Sequence, residues 1–329
     1  MSAGLDVMLS PYDLAPRAAS IFVGALLASR VFTLLPTPQD AADFEALRVA
    51  GARSPMFLRL AESWRWSGPL WRAGVIVPGL SGARLADEMT VVQTRLSEDP
   101  SFAALRPLLD RDNDLGVTEK FESLCRDLLL GGANPAVSVP LTAGIERFAS
   151  ASGLAIVRVT PASLAGRLER HNAKVAARLN LAAIVEADAD DFLAIRGSMS
   201  HTLDSLRAAL VGVLERMREG DDLVQSNAME LFELARVNYE QVLLQRVEAM
   251  RNDARRSGRR IKVARVSITG SMVECGASLS AAASAARKLA SSGGALTGEV
   301  GRTAPSSPSS ALATRAVTVL TVKPLRVDV

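Results

Sequence analysis

Histidine, cysteine and aromatic side chains are scarce in this sequence, and each shortage closes a route to function. The 329 residues include two histidines, two cysteines and 4% aromatics. With only His171 and His201 available, a Ser-His-Asp or Cys-His device must take its base from one of them. His171 sits in the polar run Glu169-Arg-His-Asn-Ala-Lys174, and His201 opens a helix in Ser198-Met-Ser-His-Thr202. Neither lies in a nucleophile motif and there is no GxSxG, so both read as solvated or helix-capping residues. Cys125 and Cys275 lie far apart with no CxxC, too few for a zinc site. They read as thiols in a reducing compartment, and a cytoplasmic location is expected.

Long uncharged apolar runs are missing too. The most apolar segment, Ala18 to Leu35, is interrupted by Arg30 and bracketed by Pro16 and Pro36. A membrane span wants about 20 apolar residues, and a central Arg costs about 2.5–3.5 kcal/mol on insertion scales. The segment therefore reads as a buried helix followed by a buried strand, and a membrane is not an expected partner. Asp6 and Asp13 precede it with Arg17 as the lone base, which is not the pattern of a signal peptide.

Nucleotide motifs are absent. Gly301-Arg302-Thr303 has Arg where a Walker loop needs Lys, and Leu296 where it needs Gly. Gly131-Gly132 follows a helical pattern, whereas a dinucleotide-binding loop follows a strand. No cofactor is expected.

What is present is an ordinary globular balance of 48% apolar and 22% charged residues with a net charge of +3. With few aromatics, Leu, Val and Ala must fill the core, and Ala and Leu favour helix. Periodicity predicts strands at Leu5–Leu9, Val31–Leu35, Leu154–Val159, Ile261–Ile268 and Ala316–Val322. Val137–Val139 reads as a further short strand, Ala162–Leu179 as a helix, and Leu181–Val185 as its continuation or a strand. Gly276 to Leu289 reads as an Ala/Ser-rich helix, and the Gly/Ser/Thr/Pro-rich stretch 291–310 as a loop. The expected fold is α+β and helix-rich, with a small mixed sheet packed by helices and a long antiparallel helical hairpin projecting from it. The expected segments are 1–130, an N-terminal α/β-helical unit; 131–197, mixed α/β; 198–260, the hairpin; and 261–329, the C-terminal strands, helix and loop.

The hairpin carries the clearest pattern. Leu203, Leu206, Leu210, Val213 and Met217 are spaced 3, 4, 3, 4, a coiled-coil-like heptad seam. Gly220-Asp221-Asp222 separates this helix from a second one. The seam is the candidate interaction surface. It favours a non-enzymatic interaction or assembly protein, acting in a larger bacterial-type complex, with a protein partner or self-association.

A basic run is the second candidate. Arg251, Arg255, Arg256, Arg259, Arg260, Lys262 and Arg265 stand against one acid, Asp253. Arg suits phosphate, because its planar fork bonds two oxygens at once. No aromatic interleaves with these residues, so base stacking is unsupported and nucleic-acid association remains the alternative function. A third class, a metal-dependent enzyme using carboxylates, rests on little. Asp110, Asp112 and Asp114 alternate as in a calcium loop, but the glycine is one residue late and Phe121 stands where the bidentate Glu belongs. Asp188, Asp190 and Asp191 are accounted for by the start of a helix. Trp64, Trp66 and Trp71 cluster within eight residues; core packing explains them, with Trp66 the one expected to be exposed.

Overall fold

A computed structural model describes residues 4–33, 41–42, 45, 55–79, 117–159, 174–219, 222–256, 258–276 and 316–325. Its frame is a seven-stranded sheet in the order β3-β2-β1-β4-β7-β6-β5. Strands β1 (Asp6–Leu9), β2 (Arg30–Thr33), β3 (Ile76–Pro78), β4 (Ala155–Val159) and β7 (Ala316–Pro324) run parallel to one another, with Val7 beside Val31 and Ala155. Strands β6 (Lys262–Glu274) and β5 (Lys174–Glu186) continue the sheet antiparallel, as a ribbon of two 13-residue strands.

The architecture is mixed α/β and helix-rich, and the sheet is not small. The expectation fell short because it missed how far the ribbon runs. Residues 174–179, expected in a helix, begin β5, and β6 continues six residues beyond Ile268. Ala-rich stretches such as Ala182-Ala183 carry little strand preference of their own; cross-strand pairing to Ala264 and Arg265 decides their state. Val137–Val139 also departs from expectation. It lies in helix α5 (Pro135–Ala151), begun by Asn134, whose side chain accepts a bond from the Ala136 amide, with Pro135 at the first helical position.

Helix α1 (Ala19–Leu27) occupies the centre. Every residue from Ser20 to Leu27 is buried. A helix apolar on all sides needs covering on all sides, and α1 packs on β4, β5, β7 and, from outside, the C-terminal helices. Gly24 brings its backbone close to Val157 of β4. Since Val157 points at α1, its neighbours Ile156 and Arg158 point to the other face, which α5 covers. Helix α2 (Pro55–Trp64) buries Phe57, Leu60 and Trp64 and packs on α4 (Val117–Leu129); the short α3 (Gly68–Arg72) buries Leu70 and Trp71.

After β5 come α6 (Ala189–Ser198), α7 (Ser200–Glu219) and α8 (Asp222–Arg256). At about 1.5 Å per residue α8 is on the order of 50 Å long. Helices α7 and α8 pack on one another, but the pair does not project from the sheet: α7 also packs on α1, and α8 on β5 and α6. The physical reason is α1, whose outer side needs an apolar cover. Two guanidinium groups finish that cover. Arg196 donates to the carbonyls of Ala25, Ala28 and Ser29, and Arg207 to that of Leu26, which satisfies the open carbonyl end of α1 with positive charge.

Candidate functional site

The seam on α7 is core. Leu203, Leu206, Leu210 and Val213 are fully buried, and Met217 nearly so. Met217 reaches β6 at Gly270, where a Cβ atom would stand 2.9 Å from its methyl carbon. The heptad spacing therefore reflects packing inside the chain, and these five residues offer nothing to a partner.

The exposed apolar surface lies on α8. Its inward side places Phe232, Tyr239 and Leu243 in the core with no exposed surface. Its other side leaves Leu231, Leu234, Val237 and Leu244 53–72% exposed. Spacings of 3, 3 and 7 put these four on one outward arc of the helix. An open groove of about 570 Å³ runs there, lined by Met229, Glu230, Glu233, Leu234 and Val237. Ion pairs hold the flank. Arg236 bonds Glu233 at 2.6 Å and Glu240 at 3.0 Å. Glu240 also accepts the Ala182 amide at 2.8 Å, so α8 occupies part of the outer edge of β5. The 3-residue spacing Leu231-Leu234-Val237 was legible in the sequence. It was overlooked because the stronger periodicity of Phe232, Ala235 and Tyr239 runs alongside it.

The basic run does not converge. Arg259 is committed to Asp191 at 2.7 Å, at the start of α6. Arg265 turns toward Glu240 of α8 at 3.7 Å, and Lys262, three residues before it on the same strand, points to the opposite face. Arg251 pairs with Glu248 at 3.6 Å, and Arg260 is exposed. Arg255 and Arg256 end α8; the placement of their side chains lies outside what is described.

Trp66 is half-buried rather than exposed. Its indole N–H donates to the Leu14 carbonyl at 3.0 Å, its ring sits 5.5 Å from Phe22, and the Arg17 guanidinium lies over it at 5.2 Å. Trp64 and Trp71 are core residues. Asp110, Asp112, Asp114 and His171 lie outside the described residues, while His201 is exposed near the start of α7. Asp188 precedes α6, with Asp190 and Asp191 in its first turn. Among the described residues no group of three potential ligands comes together for a metal.

One polar cluster escaped the sequence reading. Asp13 follows β1 at the carboxyl edge of the parallel strands, beside β4, where open α/β sheets commonly bind ligands. The Ser20 hydroxyl donates to it at 2.6 Å, the Val159 backbone bonds it, and Arg158 is near. Burial nonetheless raises its pKa from 3.8 to about 6, against the opposing pull of these partners. Next to it, the Tyr12 hydroxyl donates to Asp127 at 2.8 Å, and Asp127 also accepts the Asn134 amide. Burial raises Asp127 as well. The signal available was an acid in the turn between a strand and the most apolar helix. These acceptors are filled from within the chain: Asp13 ties α1 to β4, and Asp127 ties α4 to the turns on either side. The cluster reads as an anchor of the fold.

Comparison with known proteins returned no matching family model, no matching curated protein and no matching solved structure. The class defined by the fold is a mixed α/β protein carrying a long, partly apolar surface helix, and function must be argued from that surface.

Proposed function

We propose that the chain is a protein-interaction or assembly component that docks through the outward face of α8, with α7 and α8 as the two arms of a helical hairpin bound to the sheet. One observation carries this: four large apolar side chains stand exposed on one arc of a helix whose opposite side is fully buried. Scattered exposed apolar residues need no explanation, but a contiguous set on a rigid element marks an interaction surface. The polar flank of Glu230, Glu233 and Gln241 around Leu234 and Val237 supplies the rim such surfaces have. A second amphipathic helix lying along the groove is the fitting occupant.

The nucleic-acid reading has less behind it, since the cations of the basic run are divided between ion pairs and opposite faces. The carboxylate-enzyme reading has less still, with Asp13 engaged by Ser20 and the Val159 backbone. A cytoplasmic site of action fits two cysteines that form no disulfide. Among the described residues no helix is long and apolar enough to cross a membrane.

The test is purification of the tagged chain from its own host, as wild type and as the double variant Leu234→Glu/Val237→Glu, followed by native mass spectrometry. The expected result is a stoichiometric protein partner, this chain or another, with the wild type and its loss from the variant at unchanged circular dichroism. The same composition for both proteins would sink the proposal.

A further inference from the structure

We draw no further inference here: the strongest candidate, the outward apolar face of α8 around Leu231, Leu234, Val237 and Leu244, already carries the proposed function, and nothing in the structure shows what covers it.

Discussion

Helices α7 and α8 are consecutive, pack on each other and both carry apolar residues at helical spacing, yet they spend them differently. The seam of α7 is wholly inside, between α8, α1 and the ribbon. Helix α8 buries one side, Phe232, Tyr239 and Leu243, and shows another, Leu231, Leu234, Val237 and Leu244, to solvent. The stronger sequence pattern belongs to the helix with nothing left to offer, and the weaker one to the helix with an uncovered face. A heptad reports that a helix has an apolar partner, and that partner is as readily another part of the same chain.

Matched truncations on the two helices break or sharpen this contrast. Leu210→Ala on α7 empties a fully buried site and is expected to cost about 3 kcal/mol in urea unfolding; a loss below about 0.5 kcal/mol, ordinary for a surface site, would place the seam outside the core. Arg207→Ala, also on α7, leaves the Leu26 carbonyl of α1 without its charged donor. About 2 kcal/mol of destabilisation is expected, and an unchanged unfolding midpoint would show that water replaces the guanidinium.

The buried helix that α7 covers has a titrating group near its other end. Asp13 has a folded pKa of about 6 against an ordinary 3.8. An acid raised in this way holds its proton more tightly when folded, so the folded chain binds more protons than the unfolded one between these values. Stability is therefore expected to fall as pH rises from about 4 to about 6, by on the order of 1–2 kcal/mol. Asp13→Asn should remove that slope, and an identical pH profile for the variant would assign the effect elsewhere. The smallest effect belongs to Leu234→Ala on α8, which should change the stability of the monomer by no more than about 0.5 kcal/mol while weakening association. A core-sized loss would mean that the outward face is already covered within the chain.

Much of the frame was legible in the residues. The strands at Leu5–Leu9, Val31–Leu35, Leu154–Val159, Ile261–Ile268 and Ala316–Val322 correspond to β1, β2, β4, β6 and β7, because β-branched runs between turn residues have few other uses. The apolar run after Pro16 did become a buried helix and a strand. Strand β5 was less legible, since Lys174 to Ala183 is rich in residues that suit a helix, and pairing with β6 overrode that preference. The seven-strand order was not legible at all, because β4, β7 and β1 are brought together from distant parts of the chain.

The same division holds for the candidate site. The sequence by itself determined which stretches are amphipathic and that Leu203 to Met217 needs an apolar neighbour. Only the tertiary structure decided which apolar face is consumed. Burial is a property of where elements meet: α1, apolar all round, drew α7 over itself, while α8 covers α7 and β5 with one side, and among the described residues no element covers the other. It likewise decided that Arg259 and Arg265 face Asp191 and Glu240, because a charge finds its partner by distance in space and not along the chain.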